Sequence, residues 1–290
     1  MNSPHIAFLG LGIMGSNMAR RLLGAGFALT AYNRHRAKAD ALDGARVAHT
    51  PREAAANADI VISMVADGAA SRAIWLGEHG ALASVRSSAV LLDCSTLTVG
   101  WVKELAAAAS RRGCEFLDAP VTGSKKQSAA GELNFLVGGS AEALDRLRPV
   151  LTAMGHRITH VGPTGSGALI KLINNFVCGV QLASFAEAFA WIERSGLDRT
   201  TALGVLVDGA PGSPLVKTMA TRMAESDFTP NFLLKLMAKD LSYALKESGV
   251  NATPLRTAAA ALEVFQGALA AGHGDQDMSA VVAPLRPSAL

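Results

Sequence analysis

The sequence predicts two domains: an α/β domain built on a mostly parallel, doubly wound sheet, then an all-α domain, the two joined by one long interdomain helix. Three observations carry this expectation. Strand-like apolar runs alternate with helical or glycine-bearing stretches from the amino terminus to about residue 160. At Val161-Gly162-Pro163 the pattern changes to long helical periods with no convincing strand. Gly165 to Arg194 then runs far enough without a stop signal to form a single helix. The domains are accordingly placed at 1–163 and 164–290.

The expected strands are His5–Leu9, Ala28–Tyr32, Ile60–Val65, Val90–Leu92, Glu115–Leu117, Phe135–Val137 and Arg157–His160. The first ends in a distinctive loop. Ile6-Ala-Phe-Leu is followed by Gly10, Leu11, Gly12, Ile13, Met14 and Gly15, and then by an amphipathic run through Arg20. Three glycines at G-x-G-x-x-G spacing, between a strand and a helix, are the pattern of a Rossmann dinucleotide site. The first makes the turn, the second admits pyrophosphate to the backbone, and the third lets helix pack on strand. Orphan N–H groups at the helix start hold the phosphates.

The end of the second strand chooses the dinucleotide. An NAD site places a carboxylate there, about 20 residues on, for the ribose hydroxyls. This chain reads Tyr32-Asn33-Arg34-His35-Arg36. A guanidinium forms paired charge-assisted bonds with a 2′-phosphate that a carboxylate would repel. NADP(H) is the expected cofactor, with Arg34 as first ligand and Asn33 and Arg36 beside it.

Composition narrows the remaining classes. A 290-residue chain that is 50% hydrophobic and 18% charged can bury a large core. Its apolar stretches read as broken by charge or glycine before bilayer-spanning length, and no basic-then-apolar signal segment precedes the first strand; a soluble cytoplasmic protein is expected. Cys94, Cys114 and Cys178 have no metal-ligand or disulfide spacing, so no metal is expected. A net charge of +3 without a basic tract points away from nucleic acid.

In the second half, helices are expected at Gly165–Arg194, Arg199–Val207, Leu215–Ala224, Phe232–Ser248 and Thr253–Ala271. The first holds a candidate catalytic residue. Lys171 is surrounded by Leu169, Ile170, Leu172, Ile173, Phe176 and Val177, so this stretch is apolar nearly all round and reads as buried. No Asp or Glu occurs between Asp145 and Glu187 to pair with it locally. A buried ammonium without an anion is costly, which favours a lowered pKa or an anionic ligand. Asn175, at i+4, shares its face and can hydrogen-bond the amine or a substrate. Such a lysine can supply the proton when a carbonyl accepts a hydride. The crevice between the domains is the expected site.

Four ordered motifs resemble the β-hydroxyacid dehydrogenases over essentially the whole chain. They are Phe8-Leu-Gly-Leu-Gly-Ile-Met-Gly-Ser-Asn-Met, Asp118-Ala-Pro-Val-Thr122-Gly123-Ser124, Gly167-x-x-x-Lys171-x-x-x-Asn175 and Lys239-Asp240. The resemblance implies Lys171 as general acid in reduction and base in oxidation, with Asn175 its companion. It implies Thr122, Gly123 and Ser124 as the substrate-carboxylate segment, an anion nest. It further implies that Met64, Val65, Thr96 and Lys239 contact the cofactor, and that Phe232 and Asp240 line the substrate pocket. Many members read Ser-Gly-Gly at 122–124; the Gly-Ser-Lys-Lys form here, with Asn33-Arg34, is more similar to the NADPH-dependent glyoxylate and succinic semialdehyde reductases. The implied reaction is reduction of a small carboxylate-bearing aldehyde to its hydroxy acid, reversible as a 3-hydroxyacid dehydrogenase.

Other chemistries fit less well. Neither Tyr32 nor Tyr243 is followed four residues later by Lys, so the short-chain dehydrogenase arrangement is absent. An imine reductase shares the expected architecture but usually replaces the catalytic lysine, and a non-catalytic NADP-binding regulator has no need of Lys171 and Asn175. His156 and His160 flank a strand at the sheet edge and read as surface residues. The apolar helical half, as in the family, implies a homodimer or homotetramer.

Overall fold

In a computed structural model the protein is described for residues 3–250 and 252–286. The first half runs β1 (Ile6–Leu9), α1 (Ile13–Gly24), β2 (Leu29–Tyr32), α2 (Ala37–Asp40), β3 (Arg46–Val47), α3 (Pro51–Ala55), β4 (Ile60–Ser63), α4 (Gly68–Leu76), β5 (Val90–Asp93), α5 (Val99–Ser110) and β6 (Glu115–Asp118). It continues through β7 (Val121–Thr122), α6 (Lys125–Ala130), β8 (Leu133–Gly138), α7 (Ala141–Met154) and β9 (Gly155–Gly162). The helical half holds α8 (Ser166–Ser195), α9 (Arg199–Asp208), α10 (Pro214–Glu225), α11 (Leu234–Val250) and α12 (Arg256–Ala270), then a 3₁₀ stretch at Met278–Leu285. The chain falls into two compact units, Met1–Lys171 and Leu172–Leu290, so the division lies inside α8.

The sheet is ordered β3-β2-β1-β4-β5-β6-β8-β7, with β9 also paired to β8. From β3 to β6 every pairing is parallel; β8 pairs antiparallel with β6 and β7 and parallel with β9. Successive side chains of a strand face opposite ways, and both faces here are covered by helices. Ile6, Phe8 and Ile62 therefore enter one core and Ala7, Leu9 and Val61 the other. Strand order reverses beside β1, which lies between β2 and β4. Ligands of such sheets bind outside the carboxyl ends of the strands at that reversal, which is where Gly10–Gly15 and Met64–Val65 sit.

Local sequence starts half of the α-helices described, through caps the sequence reading did not single out. Thr50, Asp67, Thr98, Ser140, Asp198 and Ser213 each accept the N3 amide hydrogen as N-caps of α3, α4, α5, α7, α9 and α10. Two strands escape the sequence reading, β3 and β7, because two residues carry no periodicity. His156 and His160 lie within β9 rather than beside it, their rings bonded to the carbonyls of Glu132 and Gly139.

Helix α8 corrects two expectations. It is long and apolar enough, by length and composition, to cross a membrane, where the sequence reading found no such stretch. Its apolarity is partly spent in the core of the helical unit, through Leu182, Phe185, Ala186, Phe189 and Ile192. Nor is it buried all round: Ile170 is 37% exposed, Ile173 46%, Val177 56% and Trp191 76%. Apolar composition cannot tell a helix wholly enclosed by core from one with an uncovered stripe.

Candidate active site

The glycine loop has the geometry its spacing requires. Gly10 has φ +101°, and a Cβ there would lie 2.5 Å from the Met64 carbonyl oxygen, so only glycine makes this turn. A Cβ on Gly15 would lie 2.0 Å from the Gly10 oxygen, which is the packing of helix on loop. Gly12 differs: a Cβ there meets nothing within 4 Å. As N-cap of α1 it has no side chain to satisfy the first-turn donors, and the space a Cβ would take beside it, at the positive end of the helix, is open. An open helix start lined by glycine at the positive end of a helix dipole fits the pyrophosphate of a dinucleotide.

Surrounding side chains hold the loop. Leu11 is buried, and its N–H donates to Asn33 Oδ1 at 2.8 Å, while Asn33 Nδ2 donates to the His35 carbonyl at 2.9 Å. Asn33 thus ties the end of β2 to the glycine turn. Arg36 reaches His49 at 2.7 Å and Asp40 at 3.3 Å, whereas Arg34 is exposed.

A buried polar cluster sets the ends of β4 and β5. Asp93 Oδ2 accepts from Ser71 Oγ at 2.9 Å and from the Trp75 indole at 3.0 Å; the Trp101 indole donates to Ser71 Oγ at 2.9 Å. Asp93 Oδ1 accepts the Ser95 N–H at 2.9 Å, and Ser95 Oγ accepts the Val65 N–H at 2.9 Å. Asp93 therefore fixes the loops carrying Val65 and Thr96. Burial and the Asp93 charge push the Cys94 thiol well up, keeping it protonated and unreactive.

The segment at 122–124 departs from an open nest. Thr122 lies on β7, Gly123 has φ +111°, and Ser124 caps α6. Both the Ser124 N–H and its hydroxyl donate to Gln127 Oε1, at 2.9 and 2.8 Å. An anion there competes with Gln127 for those two donors.

Lys171 stands in the second turn of α8 at 8% exposure, and it is not partnerless, contrary to what the lack of nearby acids suggested. In the helical unit, Asn175 is 4% exposed and Asp240 1%. Asn175 Nδ2 donates to Asp240 Oδ2 at 2.6 Å, and Asn175 Oδ1 accepts from Asn174 at 2.9 Å. A carboxylate only accepts, so Asp240 dictates which way the amide points. Lys239 Nζ lies 2.9 Å from Asp240 Oδ1 and 4.8 Å from the Tyr243 ring centroid. Phe232 is half-buried against the helical core, its N–H donated to Asp277 Oδ2 at 3.1 Å. Asp277, 1% exposed and 3.3 Å from Arg222, was not singled out by any motif.

A glycine cradle at the strand-order reversal and a buried lysine define a nicotinamide-dependent oxidoreductase, and comparison with known proteins gives the family. Residues 5–162 match the NAD binding domain of 6-phosphogluconate dehydrogenase, and residues 165–285 the NAD-binding domain of NADP-dependent 3-hydroxyisobutyrate dehydrogenase. The chain is 35% identical to an NAD-dependent L-serine dehydrogenase of Pseudomonas aeruginosa, over 95% of this chain and 96% of that one. It is 36% identical to the chloroplastic glyoxylate/succinic semialdehyde reductase 2 of Arabidopsis thaliana, over 99% of this chain and 80% of the relative. The solved structure of Mycobacterium tuberculosis 3-hydroxyisobutyrate dehydrogenase with L-serine matches at a TM-score of 0.89 and 35% identity, covering 99% of this chain and all of that one. The chain belongs to the β-hydroxyacid dehydrogenase family.

Proposed function

We propose that this protein reduces a small carboxylate-bearing aldehyde, of the glyoxylate or succinic, malonic or tartronate semialdehyde type, with NADPH, and runs in reverse as a 3-hydroxyacid dehydrogenase. The observation that carries this reading is a buried lysine, Lys171, one helical turn before Asn175. When bound, the nicotinamide supplies the hydride. Gly12 and the first turn of α1 receive the pyrophosphate, Met64, Val65 and Thr96 lie along the dinucleotide, Lys239 contacts it, and Arg34 receives the 2′-phosphate. Thr122 and Gly123, with Ser124 after displacement of Gln127, take the substrate carboxylate. Phe232 and Asp240 shape the pocket.

Lys171 gives its Nζ proton to the aldehyde oxygen in reduction and takes the hydroxyl proton in oxidation. Asn175, its amide fixed by Asp240, offers a set of polar atoms that does not rotate away. The preference for NADPH rests on Arg34, whose exposed guanidinium suits a phosphate. Two related proteins carry L-serine in their descriptions, and serine is itself a 3-hydroxy acid, which supports including it as a substrate for the reverse direction. The uncovered apolar residues of α8, Ile170, Ile173, Val177 and Trp191, support a homodimer or homotetramer.

The test is a panel of the four aldehyde acids with NADPH or NADH, and L-serine with NADP⁺ or NAD⁺, beside Lys171→Ala. NADPH-dependent turnover that collapses in the variant is the expected result. Equal use of NADH sinks the role given to Arg34, and full activity of Lys171→Ala sinks the role given to the lysine.

A further inference from the structure

The helix that carries Lys171 begins without a cap of its own. Its N-cap is Gly165, whose carbonyl accepts the first helical bond from Leu169 at 3.0 Å, and its N3 residue is Ala168. A local capping box joins the N-cap side chain to the N3 N–H, and the N3 side chain to the N-cap N–H. Neither Gly165 nor Ala168 has a side chain able to do this. Asp118, at the end of β6, makes both bonds: Oδ1 accepts the Gly165 N–H at 2.7 Å and Oδ2 the Ala168 N–H at 2.8 Å.

Space for that carboxylate is built in. A Cβ on Gly138 would lie 2.6 Å from Asp118 Oδ1, and one on Gly167 2.9 Å from Oδ2 and 2.3 Å from the Leu136 oxygen. Asp118 is 1% exposed. Burial pushes its carboxyl up, with a smaller push from Asp93, while the two amide hydrogens pull it down. The fold bears that desolvation at one position, the head of α8. Lys171 is three residues beyond Ala168, about 4.5 Å along the axis at the usual helical rise.

We propose that Asp118 is a positioning residue for Lys171: by capping α8 from outside the helix it fixes the height and rotation of the turn from which the lysine projects. The proposal rests on the reading of Lys171 as proton donor. The carboxylate also counters the positive end of the helix dipole beside an ammonium, so charge and geometry act together. Misplacement of a reacting group by about 1 Å can cost on the order of 100-fold in rate.

The test is Asp118→Asn, an isosteric change that keeps one acceptor and turns the other into a donor. Three readouts are compared with wild type and Lys171→Ala: amide hydrogen exchange of the peptide spanning 163–172, NADPH affinity by fluorescence, and kcat with its solvent isotope effect. The expected result is exchange at Gly165 and Ala168 faster by about tenfold, NADPH affinity within about twofold, kcat lower by about 30-fold and a larger solvent isotope effect. Unchanged exchange and kcat in Asp118→Asn, with Lys171→Ala inactive, overturns the proposal. So does a fall in kcat matched by a loss of NADPH affinity, the mark of general damage. An active Lys171→Ala overturns the lysine reading itself, and the positioning role with it. If Asp118→Asn does not fold, Gly138→Ala presses on the same carboxylate from 2.6 Å and is read in the same way.

Discussion

Gly12→Ala and Gly15→Ala add the same methyl group three residues apart and are expected to do opposite things. At Gly15 the new carbon would sit 2.0 Å from the Gly10 carbonyl oxygen and 3.2 Å from the Phe8 ring, and backbone cannot yield cheaply. Overpacking of that severity costs about 3 kcal/mol or more, which lowers the melting temperature by roughly 6–12 °C for a chain of this order of size. At Gly12 the methyl meets nothing within 4 Å and φ is −74°, ordinary for alanine. The remaining cost is that of a poorer N-cap, about 0.5–1 kcal/mol, or roughly 1–4 °C. That same methyl occupies the space through which pyrophosphate reaches the backbone. Losing one charge-assisted hydrogen bond, about 1.5–3 kcal/mol, weakens NADPH binding roughly 10- to 150-fold. Thermal unfolding without cofactor and fluorescence titration with NADPH measure the two effects separately. If Gly12→Ala melts as early as Gly15→Ala, or binds NADPH like wild type, the loop is not a phosphate cradle.

Further outcomes follow from the same geometry. Arg34→Ala is expected to weaken NADPH at least tenfold, on the order of the 1.5–3 kcal/mol a hydrogen bond to a charged group contributes, and to leave NADH within about twofold; equal losses refute the 2′-phosphate role. Asp240→Ala removes a carboxylate that holds Asn175 at 2.6 Å and lies 2.9 Å from Lys239, so about 3 kcal/mol of stability is expected to go; a denaturation midpoint unchanged from wild type contradicts this. The folded Asp118 carboxyl is held above the usual aspartate range, so the unfolded chain ionises first. Its contribution to stability is therefore full below the unfolded value and is lost as pH rises through the folded one. The stability of wild type relative to Asp118→Asn should therefore fall as pH rises from below the ordinary aspartate value of about 3.9; parallel denaturation curves rule it out. Under native conditions a thiol reagent should modify half-buried Cys178 faster than buried Cys94, and rapid modification of Cys94 would mean that the segment after β5 opens.

Much of the fold was legible because it rests on local signals. The glycine spacing, the apolar strands and the long helical periods after residue 163 act over short stretches of chain, and each marks an element the structure contains; caps such as Thr50, Asp67 and Ser213 are equally local, though no helix was expected from them. The two-residue strands β3 and β7 were not legible: a pair of residues shows no alternation, and only the register against β2 and β8 makes them strands. The apolar girdle of α8 misled in a related way. Hydrophobic composition reports the tendency to be covered, while the exposure of Ile173 and Val177 depends on which neighbours the chain actually supplies.

The candidate site divides along the same line. Residue types were legible along the chain: glycines at dinucleotide-loop spacing, a guanidinium in place of a carboxylate after β2, and a lysine one helical turn before an asparagine. How those residues are held was not legible there and depends on contacts between distant parts of the chain. Asn33 ties the glycine turn to β2, Gln127 engages both Ser124 donors, Asp240 orients Asn175 from 65 residues away, and Asp118 caps α8 across 47 and 50 residues. The reason is physical. Chain conformation and local caps depend on near neighbours, whereas a buried carboxylate is satisfied by whichever donors the fold delivers to it, and that delivery depends on strand order and packing rather than on spacing along the chain.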